Sequence, residues 1–447
     1  MMHWVVIKIF TIRLFLEGII NYMNLNFKKV KRNTGAAMLI SVIFFLFISL
    51  AIISGLVSPT VREFRNANNL IKSRQSFFLS ESAVEDAYFR LKTAKTIGGT
   101  ETITLGDSSA TATITDSGYN EKTISSLGDV NSLQRKNEVV LNTGDGVSFS
   151  YGIQAGVGGF ELGNAIVYGN VYSNGAILGS NGATFTGSAF SAGASGLINN
   201  VDVGQNGIGD ARAHTVTNST IAGNLYCQIG TGNNGTGNNN KSCDASQPDP
   251  DPVSMPITQA MIDKWKSDAE LGGTINGDLT ISSPTTLGPK KITGNLSINA
   301  NFTITGTIYV VGNITTNNGA RVSLSSSYGP TGGIIITDGR VILSNNVKFF
   351  GSGSSGSYVL LVTTSTCPTG CSGLNAMEIL NNVGAILVNA QNGTVHLNNN
   401  VELNEITGDK IIVDNSAEIN YTSGLANSNF TSGPSGGWGI KSWKEIK

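Results

Sequence analysis

Cys227 and Cys243, and Cys367 and Cys371, divide the 4 cysteines of this 447-residue chain into two local pairs. The second pair, CPTGC, has three residues between its sulfurs, not the two of a redox C-x-x-C motif. The 3 histidines, His3, His214 and His396, are spaced with neither pair as zinc ligands would be. GPSGG (433–437) matches the G-x-S-x-G nucleophile pattern, but no apolar strand precedes Ser435 and neither Asp nor His follows it. GTGNNGTGNNNKS (230–242) imitates a phosphate loop, yet Asn precedes Lys241 where a glycine is needed. It reads instead as the span between Cys227 and Cys243. Asp249 and Asp251 alternate with prolines in QPDPDPVSMP, and two carboxylates make a poor cation site. No catalytic residue, metal or cofactor is expected.

The elements that would carry these residues follow from composition. Charged residues are 13%, about half the usual share, while glycine, at 55 residues, is well above it. Many short strands joined by turns suit that balance. A net charge of −1 argues against nucleic acid.

Residues 36–58 carry no charge and are long enough to cross a bilayer core of about 30 Å. A cleaved secretory signal is shorter in its apolar region. Lys28, Lys29, Lys31 and Arg32 favour a cytoplasmic N-terminus. MMHWVVIKIFTIRLFLEGIINY reads either as an interfacial helix or as sequence ahead of a true start at Met23, and the second reading is preferred. Beyond Pro59, which would kink the helix without ending it, Phe64, Ala67, Leu70, Ile71, Phe77, Phe78, Val84, Ala87, Tyr88 and Leu91 recur at helical steps. An export-type segment and an even cysteine count together favour the disulfides Cys227–Cys243 and Cys367–Cys371.

Basic leader, Gly35, long apolar helix and FFLSESAVEDAYFRLK together resemble the N-terminal region of type IV pilins, especially PilX-like minor pilins. ISSLG (124–128) and QRKNEVVL (134–141) resemble pilin sheet strands. The resemblance implies cutting by a prepilin peptidase after Gly35, a methylated mature N-terminus at Ala36, and other pilins as partners of the helix. Most pilins carry glutamate at the fifth mature position, where this chain has Ile40. A carboxylate in hydrocarbon needs a partner, and its absence points away from a major shaft subunit.

ATATIT, EKTISSL and EVVLN read as an antiparallel meander on the helix. From about residue 151, GNVYSN, GSAFSA and GNLYCQ begin at Gly169, Gly187 and Gly223, and GDLTIS, GNLSIN and GNITTN at Gly277, Gly294 and Gly312. A period near 18 is a solenoid signature, with Leu279 expected on Leu296 on Ile314, and Ile281 on Ile298. A helix over 257–273 interrupts it, packing along or capping the stack, and GGWGIKSWKEIK ends the chain as a docked strand. The expected fold is mainly β: a long pilin-type α-helix, a small antiparallel sheet, then a parallel β-helix with one helical insertion. The organisation is leader 1–35, membrane and fibre-core helix 36–58, continuation helix 59–97, meander 98–150, solenoid segments 151–246 and 274–447, and linker with helix 247–273.

These residues read as a structural minor pilin, of a pilus or a pseudopilus, stored in the cytoplasmic membrane and then displayed outside the cell. Its solenoid would meet cell surfaces or glycans through loops at 230–242 and 326–333, where Tyr328 interrupts a polar run. The alternatives are a membrane-anchored carbohydrate-binding or carbohydrate-active β-helix, for which carboxylates such as Asp338 and Glu402 are sparse, and an unprocessed surface adhesin.

Overall fold

The computed structural model describes residues 34–92, 97–118, 121–142, 145–147, 149–180, 182–234, 237–367, 374–384, 386–421, 425, 428–430 and 438–446. The chain is mainly β, with a long N-terminal helix, a small antiparallel sheet and a large array of parallel strands. It forms two compact units, residues 1–74 and 75–447. Helix α1 spans Thr34–Lys92 and runs through Pro59. In the first unit its apolar side chains are exposed, Phe45 by 70% and Phe47 by 56%, and its most apolar window has a mean hydropathy of 2.9. At 1.5 Å per residue, residues 36–58 extend about 35 Å, enough to cross a bilayer.

In the second unit the last turns of α1 bury Leu79, Ala83, Val84, Ala87 and Leu91 against Ala110, Ala112, Ile124, Val139 and Leu141. Those partners lie on β2 (Ser108–Gly118), β3 (Glu121–Val130) and β4 (Leu133–Asn142), an antiparallel meander edged by β1 (Thr100–Leu105). Ser76 and Ser80 donate to the carbonyls of Gly128 and Ser126 at 2.6 and 3.0 Å. A Cβ on Gly128 would lie 2.2 Å from the Ser76 carbonyl oxygen, so only glycine lets helix and sheet approach so closely. Asn131 and Ser132, both at positive φ, form the two-residue hairpin turn between β3 and β4.

The other neighbour of β4 is the final strand, Gly439–Ile446, with Gly439 opposite Asn142. The docked C-terminal strand therefore completes the small sheet, and everything between it and β4 is an insertion. Asp145–Val147 and Ser428–Phe430 pair antiparallel as the two-stranded neck through which the chain leaves and returns.

The insertion is a β-solenoid built mostly of two- and three-residue strands, with a few longer ones such as Ile153–Leu162, Leu387–Leu397 and Glu405–Val413 that turn a corner of the coil. Leu279 pairs with Leu296 and Leu296 with Ile314, and Ile281 pairs with Ile298, in the parallel register that the repeat spacing implies. The 36-residue step from Gly187 to Gly223 contains an intervening coil at Gly209, with Ala189 paired to Ala211 and Ala211 to Leu225. Glycine begins the repeats because backbones touch there: a Cβ on Gly294 would lie 2.4 Å from the carbonyl carbon of Gly277. Beside it runs a ladder of side-chain acceptors. Asp278, Asn295 and Asn313 each take the backbone N–H one coil on, of Asn295, Asn313 and Arg340, at 2.7, 2.8 and 2.8 Å.

Order along the stack differs from order in sequence. Ile153–Leu162 starts in the middle, and the chain winds to one end, where Ile229–Asn234 and Gly237–Ser242 form a hairpin lying on Thr215–Ile221. It then returns along the outside. Gln228 donates to the Gln247 carbonyl, Arg212 to Pro248, the Gly193 amide to Pro250, Asn174 to Val253 and Gln154 to Ser254, each contact about one coil further back. Helix α2 (Gln259–Leu271), capped by the Thr258 hydroxyl at the Met261 amide, follows. Its Ile262, Trp265 and Ala269 pack with Ile334, Ile336, Leu360, Val362 and Leu387, so it lies along the stack and caps neither end. From Thr274 the chain winds back until Glu405–Val413 lies in parallel register on Ile153–Leu162, with Ile406 opposite Ile153 and Ile411 opposite Phe160. The two segments are one stack, residues 274–420 followed by 153–242.

Because Asn142 and Gly439 are already paired, the small sheet needs only a short turn in place of the insertion. Residues 75–144 joined directly to 437–447 should fold into a cooperative α/β unit with buried Trp438. Circular dichroism and tryptophan fluorescence during thermal unfolding check this, and a chain without a transition would show that the solenoid holds the sheet together.

Candidate functional site

Gly35 and Ala36 lie in the first turn of α1. A Cβ on Gly35 would meet nothing within 4 Å, and Ala36 is exposed. The basic leader lies outside the described residues. Ile40, at the position where pilins usually have glutamate, is 52% exposed. This surface is suited to hydrocarbon or to other apolar helices, and the hydroxyls of Ser41 and Ser49 are turned onto the helix's own Met38 and Phe45 carbonyls.

Cys227 is buried, and its sulfur is bonded to that of Cys243, with Cα atoms 5.1 Å apart. The bond fastens the base of the end hairpin. Cys371 lies outside the described residues, as does Ser435. The 230–242 stretch is the hairpin that closes one end of the stack. Tyr328 does not reach outward. It is 2% exposed, inside the main solenoid core, because the 3-10 turn Ser326–Tyr328 folds its ring inward.

Several titratable groups of the outer faces are gathered into clamps. His396 bridges two carboxylates, Nδ1 at 2.9 Å from Glu378 Oε1 and Nε2 at 3.3 Å from Asp414 Oδ2. The hydrogen bond to Glu378 foremost holds the imidazolium above its ordinary pKa, against partial burial. Each ring nitrogen thus already faces a carboxylate partner. Partial burial pushes Glu378 up, but hydrogen bonds from His396, Asn375 and Asn398 outweigh it and hold the carboxyl below its usual value. Asp338 likewise accepts from Lys266 of α2, from Tyr309 at 2.7 Å and from Thr364 at 2.7 Å. Burial raises this carboxyl and those bonds lower it further than burial lifts it. His214 Nδ1 meets Asp249 Oδ2 at 2.8 Å, tying the return strand to its coil, while Asp251 offers Tyr172 its backbone carbonyl. Among the described residues, no group of three or more His, Cys, Asp and Glu side chains is gathered as a metal site.

Glu405 differs from these. It is 1% exposed, accepts from Thr407 on Oε1, and has no hydrogen-bond partner on Oε2. Burial pushes its carboxyl well above the ordinary range, outweighing the Thr407 bond. In the sequence, VELNEIT carries no mark that separates Glu405 from the exposed Glu402. The signal was positional, since Glu405 pairs with buried Leu387.

No protein-family model and no curated protein matches the sequence. Among solved structures, the chain is similar to the competence-associated pilin ComZ from Thermus thermophilus, at 12% identity over 84% of this chain and 97% of that one, with a TM-score of 0.18. A likeness of that size carries no weight for fold or function.

Two measurements test the roles assigned to these residues. Replacing Cys227 and Cys243 together by serine should destabilise the solenoid by about 3 kcal/mol, the chain-entropy value for a loop of this length. Calorimetry with peptide mapping under non-reducing conditions checks it, and free thiols in exported protein would contradict it. Unfolded Glu405 ionises above about pH 4.3, while folded Glu405 stays protonated until its raised pKa. Its contribution to stability is therefore intact below about pH 4.3 and falls as pH rises through that window. Glu405→Gln should raise the melting temperature at pH 7 to 8 by several degrees and leave it nearly unchanged at pH 4.

Proposed function

We propose that the chain is a pilin-type fibre subunit, cut after Gly35 and bearing the solenoid as a display domain. The observation that carries this reading is the uncharged run of residues 36–58, exposed throughout in a helix, directly after Lys28, Lys29, Lys31, Arg32 and Gly35. Such a surface gains free energy only in hydrocarbon or against similar helices. Further support comes from the same helix ending as the spine of an antiparallel meander, with Ala83, Val84 and Ala87 small enough to let the sheet approach. Other pilins are the partners of the first segment, prepilin peptidase its processing enzyme, and the fibre or cell surface its destination. The missing acid at Ile40 favours a minor position.

The solenoid is read as a binding domain. Acid–base catalysis needs a proton-transfer group free to reach a substrate, whereas His396, Asp338 and Glu378 are engaged by their neighbours.

Mass spectrometry of surface-located protein should find a mature N-terminus at Ala36 carrying a methyl group, and Gly35→Val should leave the leader attached. Surface protein retaining residues 23–35 would replace this reading with that of a fixed anchor.

A further inference from the structure

One outer face of the solenoid groups two cations, a phenyl ring and a row of hydroxyls. Arg321 and Lys348 stand opposite one another on adjacent strands, with Ser323 opposite Phe350 two positions along. The Ser323 row continues through Thr303 and Thr286, so one column of hydroxyls leads up to the phenyl ring. Arg321 is exposed, and its guanidinium lies 4.3 Å from the centroid of the Phe350 ring. Phe350 itself is 38% exposed. Among the described residues neither cation reaches a carboxylate, whereas Lys266, Lys291 and Lys410 each do. Beyond Lys348 the row continues to Gly384 and then Glu402. The lysine Nζ lies 2.7 Å from where a Gly384 Cβ would sit, so it occupies a notch that a side chain would fill.

The two strands bearing these residues, Arg321–Leu324 and Lys348–Phe350, are also followed by enlarged loops. In the preceding coils the same corner takes only Gly288 and Pro289, or Thr305 to Thr307. Here it takes residues 325–332 and 351–358. These loops stack on one another, Ser357 donating to the Thr331 carbonyl at 2.8 Å and Ser352 to that of Gly329. Buried Tyr328 fixes their base, while Ser326, Ser327 and residues 353–356 form an exposed polar rim. The result is a flat wall of hydroxyls, an aromatic ring and two cations with a lip at one side.

We propose that this face binds an acidic saccharide. A guanidinium fork held by an aromatic ring suits a carboxylate or sulfate. A half-exposed phenyl ring suits the C–H face of a sugar, and short hydroxyls in register suit its ring substituents. A neutral glycan would leave two cations to be desolvated without return. Glu402, one row beyond Gly384, sets the anionic end of the site toward Arg321. The proposal names the ligand of the display domain and stands whether or not the chain is cut after Gly35.

Full-length protein in detergent is tested by calorimetry against a galacturonic acid hexamer, maltohexaose and polyphosphate. The hexuronate should bind and maltohexaose should not, with affinity falling between about 0.05 and 0.3 M NaCl as exposed charges are screened. Arg321→Ala, Lys348→Ala and Phe350→Ala should each weaken binding about tenfold while thermal unfolding is unchanged, and Lys441→Ala should have no effect. Equal binding of maltohexaose, hexuronate affinity unaffected by the Arg321→Glu, Lys348→Glu double change, or a Phe350→Ala variant that binds hexuronate and polyphosphate alike with wild-type affinity would each overturn it. No binding of the hexuronate would overturn it too.

Discussion

The stacking of Glu405–Val413 on Ile153–Leu162 is the contact on which the molecule's architecture depends. Without it, two separate solenoid segments would each present an open coil of unpaired N–H and C=O groups, with Ile153, Phe160, Ile406 and Ile411 at the exposed ends. With it, the apolar interior runs continuously, and a side-chain acceptor bridges the junction, Asn415 accepting from the Asn164 amide at 3.2 Å. It also brings the entry at residue 149 and the exit after residue 421 to the same level of the stack, where Tyr421 donates to the Phe149 carbonyl at 2.6 Å. A paired neck is possible only because the two ends meet there. The phenyl rings of Phe149 and Phe430, 6.0 Å apart, pack edge to face at that point, and Phe430 sits against Gly332.

The return path has to match the stack it spans. From Gln247 to Ser254 the chain passes four coil steps, about 19 Å at the spacing of paired strands. Seven residues in polyproline geometry reach about 22 Å, and the prolines of QPDPDPV hold that extended form. Along the other half, the 13 residues of α2 rise about 20 Å, again four coil steps. Trp265 then fills the space between helix and strands, and Lys266 and Glu270 reach Asp338 and Lys291. Charge on this helix is thus spent on alignment, which is why Asp338 has no freedom left for chemistry.

How far the sequence discloses this depends on whether a feature is local. Inward ladders such as Leu279 on Leu296 on Ile314 recur within 18 residues and are visible as a period. The junction of residue 406 with residue 153 is not, because an Ile-on-Ile coil contact looks the same between any two coils. Phe77, Phe78 and Leu79 show a similar degeneracy: three consecutive apolar residues cover most of a helix circumference, so the pattern cannot choose among them. The sheet packs on Leu79, leaving Phe78 61% exposed, and the described part of the helix reaches Lys92. Tyr328 misled because an aromatic in a Ser-Gly loop looks displayed, whereas the loop turns back on itself. The face built on Arg321, Lys348 and Phe350 was invisible for the opposite reason: its members lie 27 and 29 residues apart along the chain and become neighbours only through coil register.

The matched lengths also restrict how this architecture can vary. Each added coil lengthens the stack by about 4.8 Å, which the return path must follow with about three residues of helix or one to two of extended linker. A coil inserted without that compensation would pull Thr274 away from Lys291, or Gln154 away from Ser254. Loops are under no such constraint, since they leave the corners sideways. Variation of the solenoid's exposed surface is therefore least constrained in segments like 325–332 and 351–358, while coil number, strap length and the spacing of the neck must change together.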